Sequence, residues 1–399
     1  MTTTHLAERA QRIKPSPTIA VSQRAAELKR QGKDVIGLGA GEPDFDTPDH
    51  IKQAAIDAIN KGMTKYTAVD GIPDLKQAII DKFRRENGLD YAMDQVLASV
   101  GAKQALFNLC QAVLDAGDEV VIPAPYWVSY PDMALLANAT PVIASAGIDL
   151  GFKLVPEQLE QVLTEKTRLL IINSPSNPTG AVYTKAELSA LGDVLRAHPN
   201  VMIASDDIYE HICWADEPFC NIVNACPELL ERTIVFNGVS KAYAMTGWRI
   251  GYAAGSKPVI AAMKKIQSQS TSNPASVSQV AAAAALSGDQ ACIAPMLQSF
   301  KDRHDHVVER LNQIDGIHCL PSQGAFYAFP DMREVIARRS GINNDIDIAE
   351  YLLNEAGVAL VPGSAFGAEG YLRLSFAASM GVLDEALDRM ERLLGRRAA

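Results

Sequence analysis

The sequence predicts an α/β protein, with a large domain on a mostly parallel mixed sheet and a smaller α+β domain. Three observations carry that expectation. Apolar runs of 4–6 residues alternate with helical patterns between residues 96 and 253. Most are bounded by Gly, Pro, Asn or Asp, as strands buried on both faces and covered by helices are. The 399 residues, 48% hydrophobic and 21% charged, suffice for two domains with a sizeable core.

Residues 1–48 read as an N-terminal arm and part of the smaller domain. Thr18–Gln31 has helical periodicity and stops at Gly32; Val35–Leu38 is a short strand opening into the turn-rich Gly39–Asp44. The large domain spans residues 49–290. A helix from Pro48 runs to about Lys61, Tyr66 lies in a loop, and a second helix covers about Asp74–Glu86. Strands are expected at Val96–Ser99, Glu119–Ile122, Pro141–Ser145, Arg168–Ile172, Val201–Ala204, Thr233–Phe236 and Arg249–Ala253, with a helix over Gln104–Leu114. Residues 291–399 complete the smaller domain. A long helix over Ala291–Gln313 leads into strands at Gly324–Phe329, Val358–Val361 and Tyr371–Phe376, and a helix over Gly381–Leu394 follows.

Composition excludes several classes. A net charge of −10 without a basic block speaks against a nucleic-acid partner. The six cysteines include no C-x-x-C pair, and Cys213, Cys220 and Cys226 with His211 fit no common zinc spacing, so reduced thiols and no metal are expected. Met1–Lys14 lacks the apolar core of a secretory signal, and the longest apolar run, near Val280–Leu286, is too short to span a bilayer. A cytoplasmic protein with no membrane partner is expected.

Ligands of an open α/β sheet bind beyond the carboxyl ends of its strands, and five predicted strands end in chemically telling residues. The first runs into Gly101-Ala102-Lys103 and a helix start, where free N–H groups bind phosphate. The second leads to Trp127, an aromatic for a planar ring or for the core. The fourth leads to Asn177, whose amide can donate to a ring oxygen or a carboxylate. The fifth ends in Asp206-Asp207. One of these two is expected to cap a helix, and Asp206 is assigned to a pyridinium nitrogen, with Tyr209 a turn further on. The sixth leads to Ser240-Lys241, with Arg249 expected to begin the next strand. Lysine condenses with an aldehyde when its amine is neutral, and arginine and serine suit phosphate oxygens. Pyridoxal phosphate has both groups. No phosphate-loop or dinucleotide fingerprint competes.

In combination, Gly101-Ala102-Lys103, Pro125-Tyr126-Trp127, Asn177-Pro178-Thr179-Gly180, Asp206 with Tyr209, and Ser240-Lys241 with Arg249 resemble the fold-type-I pyridoxal-phosphate enzymes. Ala40–Phe45, Thr64-Lys65-Tyr66, Pro125–Tyr130, Ser240–Tyr252 and Tyr371–Ser375 resemble the bacterial aspartate aminotransferases of subgroup Ib, over nearly the whole chain. The resemblance implies that Lys241 holds the cofactor as an imine and moves the substrate proton. It implies that Asp206 pairs with the ring nitrogen, that Tyr209 and Asn177 reach the ring oxygen, and that Trp127 stacks on the ring. By the same resemblance, the backbone of Gly101, Ala102 and Lys103, with Ser240 and Arg249, would hold the phosphate. Tyr66 reaches the phosphate of a neighbouring subunit, so a homodimer with shared sites is implied. Arg373 matches the arginine that grips the α-carboxylate in that family, and Gly41 the backbone that closes over the substrate. No arginine lies between Ser268 and Ser278, where another branch of the family would bind a side-chain carboxylate. In its place the Ib pattern uses Lys103, and Lys14 matches a lysine used for prephenate; either could instead be solvated. The expected reaction moves an amino group between aspartate or glutamate and 2-oxo acids, prephenate among them. An aromatic or neutral amino-acid transaminase, or a carbon–sulfur lyase, is the alternative.

Overall fold

A computed structural model describes residues 5–396. Its strands, in chain order, are β1 (Ile36–Gly37), β2 (Val96–Ser99), β3 (Glu119–Ala124), β4 (Thr140–Ser145), β5 (Thr167–Asn173), β6 (Met202–Asp206), β7 (Thr233–Gly238), β8 (Gly251–Ala254), β9 (Tyr327–Ala328), β10 (Val358–Ala359), β11 (Val361–Pro362) and β12 (Leu372–Ser375). Seven form one sheet in the order β2-β8-β7-β6-β5-β3-β4. Only β8 runs antiparallel to its neighbours; the pairs from β7 to β4 are all parallel.

Side-chain alternation splits the core of this sheet into two layers. Leu170, Ile203 and Val235 pack on one face with Leu75, Ile79 and Phe83. Ile171, Ala204, Ile234 and Phe236 pack on the other with Leu106 and Leu109. Burial on both faces explains why these strands read as unbroken apolar runs. Each fully buried aliphatic side chain adds roughly 1.5–3 kcal/mol of transfer free energy.

A second core surrounds the antiparallel sheet β11-β12-β9. Phe300, Val307 and Leu311 of the helix Ile293–Gln313 meet Phe326, Leu372, Leu374 and Leu387 there. The early strand β1 pairs in parallel with β10, so segments from both ends of the chain share this region. Tyr209 and Ile212, just after β6, belong to the same core. The turn beyond β6 therefore packs on both parts of the molecule. Among the described residues no single helix is long and apolar enough to cross a membrane; the one pair that passes jointly, Ser276–Ser287 with Gln290–Gln313, is bent by 88°.

Several expectations need correction. Arg249 does not begin a strand: it follows the short helical turn Thr246–Trp248 with a left-handed φ of 57°, and β8 starts at Gly251. No helix follows Asp206-Asp207, so neither caps one. Asp207 instead accepts from Ser205 Oγ at 2.7 Å and Asn221 Nδ2 at 2.9 Å. The expected strand Gly324–Phe329 shrinks to β9, because Ala325 is left-handed with φ 58°. Val358–Val361 divides between two sheets as β10 and β11. The helix expected over Asp74–Glu86 is α-helical from Pro73 to Lys82 and then widens into a π turn, Phe83–Asn87.

That π turn belongs to a buried polar cluster. The Lys82 ammonium is fully buried, ion-paired with Glu210, and donates to Asn87 Oδ1 at 2.8 Å. Glu210 also accepts from Asn87 Nδ2 at 2.9 Å and from Asn237 Nδ2 at 2.8 Å. Glu86, Glu210 and His211 come close enough to suggest a cation site, and Lys82 supplies a cation from within the chain. The cluster ties the turn after β6 to the end of β7. Removing one partner leaves a buried charge unpaired, so Lys82→Met is expected to lower stability by roughly 3–5 kcal/mol. Urea unfolding should show a smaller loss for Lys82→Met combined with Glu210→Leu, which leaves no orphan carboxylate.

Candidate active site

The parallel strands β3, β5, β6 and β7 deliver their carboxyl ends to one edge of the sheet. Register makes this concrete: Asn173 lies opposite Asp206, and Asp206 opposite Phe236. Beyond that edge lies a cavity of about 620 Å³. Its walls include Gly101, Ala102, Lys103, Trp127, Asn177 and Asp206 from the strand ends, and Tyr209, Ser240, Lys241 and Arg249 further along the chain. Gly41 and Arg373 come from the other part of the molecule.

Lys241 Nζ donates to the Gly41 carbonyl at 2.5 Å and lies 5.7 Å from the Tyr209 ring centre. Burial, aided by Arg373 and Arg249, brings its pKa down to about 8, against the opposing charges of Glu42 and Asp206. Desolvation disfavours the ammonium, and nearby guanidiniums disfavour it again. A substantial neutral fraction near neutral pH is what a nucleophilic amine requires.

Asp206 is buried at the end of β6. Its Oδ2 accepts from the Tyr130 hydroxyl at 2.6 Å, whereas Oδ1 has no hydrogen-bond partner. Burial pushes its pKa up to about 6, with Tyr130, the Ile208 backbone and Lys241 pulling the other way. A buried carboxylate oxygen left unpaired on a cavity wall calls for a cationic N–H from a ligand. Asn173 steadies this corner: its Nδ2 donates to the Asp206 carbonyl at 2.8 Å, and its Oδ1 accepts from the Asn177 N–H at 2.8 Å.

A cradle for an anion lies opposite. Gly101, with φ 84°, precedes the helix Ala102–Val113, whose first N–H groups have no partner within the helix. A Cβ at Gly101 would come 2.5 Å from Arg249 Nη2, and one at Gly251 would come 2.0 Å from the Ala102 nitrogen. Both positions therefore need glycine for the helix start and the guanidinium to meet. The left-handed turn at Arg249, with Nη1 donating to the Thr246 carbonyl at 2.9 Å, holds that guanidinium in place.

Arg373 is 2% exposed. Nη1 donates to Asn177 Oδ1 at 2.8 Å and Nη2 to the Gly39 carbonyl at 2.7 Å, while Nε has no partner. The guanidinium is stacked between the rings of Tyr327 and Phe366, 4.5 and 4.9 Å from their centres. Both acceptors are neutral, so the buried positive charge remains available to a carboxylate. The bond to Asn177 Oδ1 also leaves the Nδ2 hydrogens of Asn177 for a ligand.

Lys103 Nζ lies 4.9 Å from the Trp127 ring centre, and burial followed by the charge of Arg249 lowers its pKa. Two expected residues stay outside the cavity of a single chain. Tyr66 is 93% exposed. Lys14 is exposed as well and lies beside Asp132, where it opposes the rise in that carboxylate's pKa caused by burial. Conversely, sequence reading gave no role to Tyr130, Asn173 or Tyr327, nor to Thr18, Ser22 and Gln23 of the helix Pro17–Arg30, all of which line the cavity. Tyr130 stands within a motif already singled out. Tyr327 sits in an aromatic run that reads as core.

An amine poised to be neutral, an anion cradle and an orphan buried carboxylate together fit pyridoxal phosphate. Residues 33–390 match the family model of aminotransferase class I and II, and the chain belongs to that family. It is a pyridoxal-phosphate-dependent aminotransferase. The aspartate/prephenate aminotransferase of Nitrosomonas europaea is 59% identical over 98% of this chain and 99% of its own. That of Cereibacter sphaeroides is 55% identical over 97% and 98%. Among solved structures, the aspartate aminotransferase of Rhizobium meliloti superposes with a TM-score of 0.96 at 48% identity, over 99% of this chain and 100% of its own. The Thermus thermophilus enzyme with maleate gives 0.93 at 44%, over 98% and 100%.

The lowered amine pKa has a kinetic consequence. Covalent capture of pyridoxal phosphate by the cofactor-free protein should accelerate as pH rises through about 8, following the neutral amine. Stopped-flow absorbance between about pH 6.5 and 9.5 measures this, and a rate independent of pH would contradict it.

Proposed function

We propose that this enzyme transfers the amino group between L-aspartate or L-glutamate and 2-oxo acids, oxaloacetate, 2-oxoglutarate and prephenate included, by a ping-pong scheme. The observation that carries this reading is Arg373: a buried guanidinium with only neutral partners, in the same cavity as Lys241. The names of the relatives from Nitrosomonas europaea and Cereibacter sphaeroides support the substrate assignment. When bound, the cofactor supplies the aldehyde that accepts the amino group and a ring that withdraws electrons from the substrate Cα.

The remaining steps fall to the chain. Arg373 takes the α-carboxylate as a fork, and Asn177 Nδ2 and the Gly41 segment orient the same end. The Lys241 amine, once free, removes the Cα proton and delivers it to the cofactor's C4′; its pKa near 8 suits both directions. Asp206 Oδ1 keeps the ring nitrogen protonated, and Tyr209 and Asn177 donate to the ring oxygen. Trp127 covers the ring, while the N–H groups of Ala102 and Lys103, with Gly101, Ser240 and Arg249, hold the phosphate. Lys103 and Lys14 serve the second carboxylate of the substrate. We further infer a cytoplasmic homodimer, with Tyr66 crossing to the partner's phosphate. Its full exposure in one chain supports this. The division is into residues 1–48 with 291–399 around the substrate end, and 49–290 around the cofactor.

A panel of 2-oxo acids with glutamate as donor tests the assignment; preference for aromatic or neutral acceptors over oxaloacetate would favour the alternative transaminase. Arg373→Ala is expected to lower kcat/KM for all amino acids alike, by roughly 2–5 kcal/mol in transition-state stabilisation, because it leaves a desolvated carboxylate unpaired. A loss confined to dicarboxylates would reassign Arg373. Lys14→Ala is expected to reduce prephenate use more than oxaloacetate use, and equal losses in steady-state assays would remove its special role.

A further inference from the structure

Tyr327 has no part in the chemistry above, yet it sits where the cofactor side and the carboxylate side of the cavity meet. It lies on β9, paired with Ser375 of β12, two residues beyond Arg373. The face of its ring carries the Arg373 guanidinium at 4.5 Å. Its hydroxyl lies 2.8 Å from the Tyr209 hydroxyl, and both side chains are buried. A Cβ added at Gly41 would come 2.8 Å from the same hydroxyl, so Tyr327 also closes against the loop whose carbonyl holds Lys241.

A phenol has one proton to give and two lone pairs to receive with. Tyr209 and Tyr327 share one hydrogen bond, so one of them must donate. If Tyr209 donated to Tyr327, it would have nothing left for the cofactor. We propose that Tyr327 is a positioning residue: it donates to the Tyr209 oxygen, leaves the Tyr209 proton for the cofactor's ring oxygen, and backs Arg373 with its ring. This rests on reading the cavity as a pyridoxal-phosphate site.

The bond has a spectroscopic consequence. Donation into Tyr209 polarises that phenol and strengthens the bond it gives in turn. A stronger donor at the ring oxygen draws charge from it and loosens its hold on the proton of the nitrogen bound to Lys241. The visible band of the holoenzyme therefore titrates at a lower pH with Tyr327 than without it. The charged and titratable groups facing the two phenols are Arg373, Asp206, Lys241 and Tyr130, and none is altered by the substitutions below.

Spectrophotometric pH titration of the wild type, Tyr327→Phe, Tyr209→Phe and the double variant tests the assignment. Tyr327→Phe keeps the ring under Arg373, so KM for amino acids should stay within about twofold. Its midpoint should rise by about 0.2–0.5 pH unit, less than for Tyr209→Phe. In the Tyr209→Phe background, removing the Tyr327 hydroxyl should add nothing, because its effect passes through Tyr209. A midpoint unchanged within about 0.1 pH unit, or a shift of equal size without Tyr209, overturns the proposal. A wild type with no visible band would instead overturn the cofactor reading beneath it.

Discussion

One amine governs the design of this protein. Lys241 must be held in place and yet be neutral part of the time, and the fold meets both needs by crowding it. Protein mass strips its water, Arg373 and Arg249 oppose its charge, and Asp206 and Glu42 keep the site from rejecting the cation altogether. The balance puts the pKa at about 8 rather than at the ordinary lysine value. Arg373, Arg249 and Asp206 tune the amine and also have a place for a ligand group, so electrostatics and recognition share side chains.

Holding such a cluster together requires stitching between distant segments. The loop from Gly39 to Thr47 does much of it. Gly39 and Gly41 offer carbonyls to Arg373 and Lys241, Glu42 accepts from Thr246, and Thr47 donates to the Ala244 carbonyl. Asp44 is gripped in bidentate fashion by Arg303 of the long helix, at 2.7 and 3.0 Å. The loop thereby joins the segment that carries Lys241 to the core that carries Arg373. The buried Lys82–Glu210–Asn237 cluster also joins distant segments, bracing the turn of Tyr209 against β7.

Much of this was readable in advance because it is local. Val96–Ser99 appears in the structure with the expected bounds, and the runs before Asn173, Asp206 and Lys241 are strands extending one or two residues further than the apolar residues alone show. A polar residue at a strand end, such as Asp206, stays in the ladder because its backbone pairs regardless of its side chain. Arg249 was misplaced for a related reason. Its apolar neighbours imitate a strand, whereas the chain turns left-handed there and its guanidinium lies against Gly101. The aromatic run around Tyr327 reads as core, and most of it is core; the hydroxyl facing Tyr209 carries no sequence signal.

The sequence by itself determined the α/β class, the strand ends that carry the chemistry, and the residue types needed for an imine, a phosphate and a carboxylate. Apolar period and side-chain chemistry are properties of short stretches, so they survive without coordinates. Only the tertiary structure decided the pairings: Arg373 with the Gly39 carbonyl across 334 residues, Tyr209 with Tyr327 across 118, and the orphan oxygen of Asp206. Those depend on which distant surfaces meet, and on which polar atoms remain unpaired once they have met.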